Sequence, residues 1–309
     1  MIFPASANLG LTLMALIPDQ YDDIATKIYE HYEKSNGPDA WREHLGASEI
    51  GHPCNRKIWY GFHWSQRPQH MGRLLRLFKR GHNEEQSFVD DLRAIGAEVY
   101  DTDPRTGKQI QVAAWYGHFG GSLDGVARHL PHRGDKWHLL EFKTHSSKSF
   151  NKLKTQGVEK SKYQHYCQMQ IYMGFERLER ALYCAVNKDT DDLYFEVIAF
   201  NESTFKALCD KAEMIVFSQY PPGRISDKAD SEHCKWCDFQ NICHFNKPPD
   251  QSCRTCRFSE PRRDGKWHCN FAFLPDYHAS RDKTELTKQE QIAACEEWEA
   301  IESFKGEQT

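Results

Sequence analysis

Apolar positions recur every three or four residues after Asp19, at Tyr21, Ile24, Ile28 and Tyr32, which predicts an amphipathic helix reaching towards His44 and broken near Asn36-Gly37-Pro38. Residues 1–17 show no clear period and read as a loose arm or an added strand. Ser48 reads as the N-cap of an aromatic-rich helix running to Tyr60, with Cys54 early on it. The strongest helical period lies at 71–95, where Leu74, Leu75, Phe78, Phe88, Leu92 and Ile95 share a face and Gly96 supplies the stop. Short β-type runs follow at 97–100, 109–113, 118–127 and 137–143, separated by turn clusters at Asp103-Pro104, Gly107 and Pro131 to Asp135. Helices are expected at 147–157, 161–177 and 202–218, with strands at 181–187 and 192–200. This order predicts an α/β fold with a central mixed β-sheet flanked by helices.

Pro221-Pro222-Gly223 ends the pattern. Beyond it aliphatic residues thin out while Cys and Trp become dense, so metals are expected to hold together a small C-terminal cysteine-rich module. The expected organisation is an N-terminal arm and helix at 1–47, a core at 48–246, and a zinc-binding module with a C-terminal helix at 247–309.

Composition narrows the function. A formal charge of −4 with 27% charged residues gives no global basic field, so any nucleic-acid binding must come from local patches. Eleven cysteines, in a chain whose first lysine is Lys27 and which shows no basic start of a secretory signal, favour metal ligation in a reducing cytoplasm over disulfides. The apolar stretch Leu11 to Ile17 falls short of the roughly 20 residues that span a bilayer, so a soluble chain with no membrane partner is expected.

The chemistry centres on Leu139-Leu140-Glu141-Phe142-Lys143 and the earlier Asp124. In a strand, residues two apart share a face, so Glu141 and Lys143 point together while Phe142 turns to the core. Pro131 and Gly134 allow the two strands to fold back as a hairpin and bring Asp124, at the end of the preceding strand, close to Glu141. Two carboxylates suit a hard cation such as Mg2+ or Mn2+, and a lysine beside them can orient or help deprotonate a water. Those are the parts phosphodiester hydrolysis needs. The plain alternative is a surface strand of alternating charge. Against it, Glu141-x-Lys143 is the only Glu-x-Lys in the chain, and the one Asp-x-Lys, Asp264-x-Lys266, surrounds a glycine and reads as a turn.

These residues resemble the PD-(D/E)XK nuclease superfamily, in particular its exonuclease branch with RecB-type, AddB-type, CRISPR-adaptation and phage recombination members. The resemblance implies a restriction-endonuclease-like core. It also implies a first metal ligand on the helix before the sheet, soon after a glycine, and Gly81-His82-Asn83-Glu84-Glu85 matches that place; Glu85 is favoured, with His82 second. The family's Gln-x-x-x-Tyr motif is matched by Gln168 and Tyr172, one helical turn apart. On this reading Glu85 or His82, Asp124, Glu141 and the main-chain carbonyl of Phe142 hold the metal, Lys143 serves the water, and Gln168 and Tyr172 meet the scissile region. The run Lys143, Lys148, Lys152, Lys154, Lys160 and Lys162, against the single acid Glu159, is a candidate track for DNA phosphates.

Cys234-x2-Cys237-x5-Cys243, with Cys54 far upstream, gives a quartet whose spacing fits either zinc or an iron-sulfur cluster. In the AddB-type and CRISPR-adaptation nucleases that arrangement holds a 4Fe-4S cluster, which the resemblance therefore implies here. A second quartet, Cys253, Cys256, Cys269 and Cys295, reads as a structural zinc site. Cys295 would lie on a helix begun by the Thr287-x-x-Glu290 capping box, and His268 or His278 are alternatives to it. A partition of all late cysteines over two zincs stays open. Cys167, Cys184 and Cys209 are left as small apolar residues.

The expected function is a Mg2+- or Mn2+-dependent DNA nuclease, an exonuclease by preference, acting on single- or double-stranded DNA in phage recombination, repair or replication. The resemblance implies a helicase or recombinase partner. A competing reading is a non-catalytic DNA-binding or assembly subunit that keeps the nuclease fold; a third is a zinc-dependent interaction module.

Overall fold

The structure, a computed structural model, describes residues 19–35, 41–271 and 284–304. The expected arm at 1–17 and His278 lie outside the described residues. The chain divides into two compact units, Met1–Asp39 with Gln69–Lys79, and Ala40–Pro68 with Arg80–Thr309. In the first, α1 (Asp19–Ser35) meets residue 72, where the Gly72 N–H donates to Glu33 Oε1 at 2.6 Å. Glycine is required there, since a Cβ would run into the Tyr29 main chain.

The second unit begins with β1 (Leu45–Gly46) and α2 (Asn55–Phe62). Ser48 is not the cap of α2: it sits in a turn, and the helix starts only at Asn55 with Cys54 extended at its N-cap. Pro53 explains the shift, because it disfavours the helical region for His52 before it; His52 Nδ1 instead accepts from the Cys54 N–H at 3.0 Å. Next comes α3 (Gly72–Ala94), whose first turns belong to the first unit. Its expected apolar face is used only in part. Phe88 and Leu92 are buried, together with Val89, whereas Phe78 and Ile95 stay exposed. Gly96, at φ +92°, ends the helix, and the Ala97 N–H returns to the Leu92 carbonyl.

Five strands follow: β2 (Glu98–Tyr100), β3 (Gln111–Ala114), β4 (Phe119–Ser122), β5 (Gly125–Arg128) and β6 (His138–His145). Then come α4 (Ser147–Ser161), α5 (Tyr163–Glu176), β7 (Arg180–Asn187), β8 (Leu193–Ala199) and α6 (Glu202–Phe217). The main sheet has the order β2-β5-β6-β7-β8, parallel at β6/β7 and antiparallel elsewhere; β1, β4 and β3 form a smaller sheet. The run at 118–127 is therefore two strands in two sheets and not one. The Leu123 side chain is fully buried and its N–H goes to the Ile110 carbonyl at 2.9 Å, so the chain changes sheet at Leu123-Asp124.

Helices cover both faces of the main sheet. Leu140 and Phe142 of β6 and Leu182, Cys184 and Val186 of β7 pack with Phe88, Val89 and Leu92 of α3. Their alternates Leu139, Ala181, Tyr183 and Ala185 face the cluster containing Phe150 of α4 and Met169 and Ile171 of α5. The period of two that the sequence shows is thus realised with an apolar core on each side.

The C-terminal part contains α7 (Gln240–Phe245), the three-stranded sheet of β9 (Ser259–Pro261), β10 (Trp267–Cys269) and β11 (Glu285–Leu286), and α8 (Lys288–Ala293). Asp264-Gly265-Lys266 is the β9–β10 turn, with Gly265 at φ +85°. Thr287 and Glu290 form the expected capping box of α8, and Cys295 falls just beyond its end. Trp267, Leu286, Ile301 and Phe304 join the same apolar cluster as α2. Arg254, 2% exposed, ties the two together: it donates to the carbonyls of Phe62 and Glu43 and to Gln291 Oε1, and its guanidinium lies 3.8 Å from the Trp64 ring centre. Among the described residues no helix is long and apolar enough to cross a membrane.

Candidate active site

The sheet change at Asp124 creates the site. The β5/β6 ladder begins with Gly125 opposite Leu140, so one residue before it the Asp124 carboxylate meets β6 where β5 no longer pairs. Its Oδ2 accepts the Phe142 N–H at 2.8 Å. Asp124 thus stands at the entry to the hairpin strand and not at the end of the strand before it, but it reaches Glu141 and Lys143 as the sequence requires.

Glu141 is 0% exposed. Lys143 Nζ lies 2.5 Å from Glu141 Oε1 and 3.9 Å from Asp124 Oδ2, and donates to the Phe142 carbonyl at 3.1 Å. Glu141 Oε2 has no hydrogen-bond partner among the described residues. Burial pushes the Glu141 carboxyl up to about 7; Lys143 opposes this, and Asp124 and Glu85 reinforce it. Burial works against the charge on Lys143, yet the Glu141, Asp124 and Glu85 carboxylates hold its ammonium above the ordinary value. Glu85 projects from α3 into the same field. Its carboxyl is raised by burial and by Asp124, with His82 and Lys143 acting the other way.

Tyr172 of α5 closes the site on the sheet face towards which Glu141 points. A Cβ at Gly121 of β4 would collide with its phenol, so the glycine lets the ring approach. The phenol is raised by burial and then by Glu141 and Asp124, which places it in the field of the acids. Gln168 lies one turn earlier on the same helix and is also buried.

Four further groups share this face. His145 follows Glu141 and Lys143 at the same period of two on β6, and Tyr183 of β7 is the register partner of Glu141. Tyr183 Oη lies 2.9 Å from His145 Nε2 and 2.8 Å from His165 Nδ1 of α5, while Ser149 Oγ lies 3.1 Å from His145 Nδ1. Burial, followed by the nearby lysines, lowers His145 to about 4; burial likewise lowers His165 to about 3, helped by Lys143, His145 and Lys162. The sequence reading missed these residues. The spacing of His145 was a usable signal, whereas the pairing of Tyr183 with Glu141 depends on strand register that no local pattern states.

A cleft of about 780 Å3 opens beside this row, lined by Lys143, Lys160, Lys162, Lys211, His52, His145 and His165 and, among the described residues, by no Asp or Glu. The lysine run accordingly divides. Lys160 and Lys162 line the cleft, while Lys148, Lys152 and Lys154 are exposed on α4, which is kinked at Gly157.

Among the described residues no three His, Cys, Asp or Glu side chains close into a ready-made metal-ligand group. The fit of a cation at the acids rests on the donors. Glu141 offers a buried carboxylate with an orphaned oxygen, Asp124 and Glu85 lie in its field, and the Phe142 carbonyl is adjacent; all are oxygen donors, which a hard cation takes. Cys54, Cys234, Cys237 and Cys243 line one small cavity, so the structure brings the first quartet together across the chain. In the second, Cys256 lies in the field of Cys269 and Cys295, and Cys253 Sγ donates to the Glu290 carbonyl at 3.4 Å. Cys167 and Cys184 are fully buried and Cys209 is half-buried.

No family model and no curated protein matches this chain. Among solved structures it is similar to SSO0001, at 15% identity and a TM-score of 0.41, over 71% of this chain and 96% of that one. It is also similar to LHK-Exo in complex with dAMP, at 15% identity and a TM-score of 0.41, over 61% and 89%. LHK-Exo, an alkaline exonuclease from Laribacter hongkongensis, is matched a further time at 16% identity and 0.36, over 60% and 90%. At these TM-scores the likenesses stand as observations, and what the chain does is read from its own residues.

Proposed function

We propose that this chain is a Mg2+- or Mn2+-dependent deoxyribonuclease of the PD-(D/E)XK type, acting as an exonuclease in DNA recombination, repair or replication, in a phage setting by the same family expectation. One observation carries the reading: a fully buried Glu141 carboxylate with an oxygen that has no partner among the described residues, ion-paired to Lys143 and set against Asp124 at the point where two sheets meet. A buried carboxylate left this way costs stability and is retained where it serves chemistry.

Asp124, Glu141, the Phe142 carbonyl and Glu85, with His82 beside it, would hold the cation. When bound, the cation supplies charge stabilisation at the phosphate oxygens and lowers the pKa of water. Lys143, fixed between two carboxylates, orients the attacking water and holds its proton count. Tyr172 and Gln168 shape the α5 wall, and the lysines of the cleft and of α4 take the strand's phosphates. Cys54, Cys234, Cys237 and Cys243 form a 4Fe-4S staple, and Cys253, Cys256, Cys269 and Cys295 a zinc site. A helicase or recombinase companion belongs to the same family expectation.

The test is release of labelled nucleotide from single- and double-stranded DNA, 5′- or 3′-labelled, with Mg2+ or Mn2+ added. Progressive loss of label from one end supports the exonuclease reading. Mid-chain products alone would replace it with an endonuclease, and intact DNA in every condition would sink it in favour of a non-catalytic DNA-binding subunit.

A further inference from the structure

The cleft beside the acids contains a chain of hydrogen bonds that the hydrolysis does not use. Tyr183, fully buried, lies between His145 and His165. A phenol has one proton, so it donates to one ring and accepts from the other. The rest of the chain sets the direction. Lys162 can only donate, and its Nζ is 2.5 Å from Ser149 Oγ, so Ser149 accepts there and offers its own proton to His145 Nδ1. His145 then carries its proton on Nε2 and donates to Tyr183, which donates to His165 Nδ1. The ring proton of His165 is left on Nε2, the nitrogen that does not face Tyr183, and His165 is one of the residues lining the cleft.

The same cleft is lined by Lys143, Lys160, Lys162 and Lys211, of which Lys143 and Lys162 act directly on the His165 ring, and among the described residues no carboxylate lines it. A cation-rich wall carrying one oriented neutral donor suits the oxyanion of a phosphate group, with the lysines supplying attraction and the fixed N–H supplying direction. Position gives the phosphate its place on the strand. Lys143 belongs both to the cleft and to the acid cluster, and Tyr183 is the register partner of Glu141, so the site lies immediately beside the acids.

We propose that the cleft holds the backbone phosphate next to the scissile one, with His165 Nε2 donating to a non-bridging oxygen and the Lys162, Ser149, His145 and Tyr183 relay keeping His165 in that tautomer. The identity of the ligand as a DNA strand rests on the nuclease reading above. His165 is then a binding residue, and Tyr183, His145 and Ser149 are positioning residues.

The experiment measures affinity for a fluorescent single-stranded oligonucleotide by anisotropy, without added Mg2+ or Mn2+, for the wild type, His165→Ala, His165→Asn and Tyr183→Phe. His165→Ala is expected to weaken binding about tenfold, the scale of a lost hydrogen bond to a charged group. His165→Asn, which keeps a neutral N–H donor, should recover most of this. Tyr183→Phe keeps the ring in place and should weaken binding severalfold, while the 15N shifts of His165 change from the Nε2–H tautomer to a mixture. A single methylphosphonate next to the scissile position should weaken binding by the wild type more than by His165→Ala, which has already lost the oriented donor but keeps the lysines. Equal binding of 5′-phosphorylated and 5′-hydroxyl oligonucleotides supports a backbone diester, and binding that needs the terminal phosphate overturns that assignment. The two readings separate cleanly. If the wild type cleaves DNA with Mn2+ but His165→Ala and Tyr183→Phe bind like the wild type, the phosphate site is wrong and the nuclease reading stands. If the wild type never cleaves but these binding differences appear, the nuclease reading falls and the phosphate site stands.

Discussion

The main-chain N–H of Phe142 donates to Asp124 Oδ2 at 2.8 Å, so one carboxylate both completes the hydrogen bonding of β6 and faces Lys143. The two roles separate by substitution. Asp124→Asn keeps an oxygen for the Phe142 N–H and is expected to fold with nearly unchanged urea stability while losing nuclease activity at least about a hundredfold, the scale on which electrostatic catalytic groups act. Asp124→Ala also leaves the N–H unsatisfied and should cost about 1 to 3 kcal/mol. Equal stability of the two variants would contradict the structural role.

Glu141 sets a pH dependence. Its folded pKa of about 7 lies above the ordinary 4.5, so between those values the folded state binds more protons than the unfolded one and stability falls as pH rises. The loss is complete above about pH 7. Glu141→Gln, studied without added divalent metal, should therefore be more stable than the wild type at pH 8 by about 1 to 3 kcal/mol and nearly equal to it at pH 4.5. Chemical denaturation at the two pH values checks this; a variant less stable at pH 8 would show that the ion pair with Lys143 outweighs burial.

Arg254 should be the strongest single contact holding the C-terminal segment to α2. Arg254→Met leaves the Phe62 and Glu43 carbonyls and Gln291 Oε1 without their donor, and a loss of about 3 kcal/mol or more is expected, with faster proteolysis after residue 284. Arg254→Lys should not rescue it, because a single ammonium cannot reproduce the three-way fork stacked on Trp64. Limited proteolysis with mass spectrometry reads the outcome.

The two cysteine quartets should separate by metal. Cys54→Ser is expected to abolish visible iron-sulfur absorption and bound iron while leaving zinc, and Cys256→Ser to remove zinc while leaving iron. Elemental analysis of the purified proteins decides. Zinc in both sets, with no iron, would replace the cluster by a second zinc site.

Much of this was open to a reader of the sequence because it is local. The alternation of Leu139 to Lys143 is fixed by strand geometry, and the Gln168/Tyr172 pair by one helical turn. What depends on distant partners was not. The sheet change at Asp124 is accompanied by a hydrogen bond from the Leu123 N–H to the carbonyl of the distant Ile110. Ser48 had the chemistry of a cap, but the proline at 53 moved the helix start past it. Tyr183 and His165 meet only through the parallel register of β6 and β7 and the fold of α5 across them, information that no window of a few residues contains.

The most direct measurement is single-turnover cleavage of an end-labelled duplex or single strand with Mn2+ by the wild type, Glu141→Gln and Lys143→Ala, each confirmed as folded by circular dichroism. Stepwise shortening by the wild type, reduced at least about a hundredfold in both variants, is the expected result. Cleavage by either variant at the wild-type rate would contradict the assignment of the Asp124, Glu141 and Lys143 cluster as the active site.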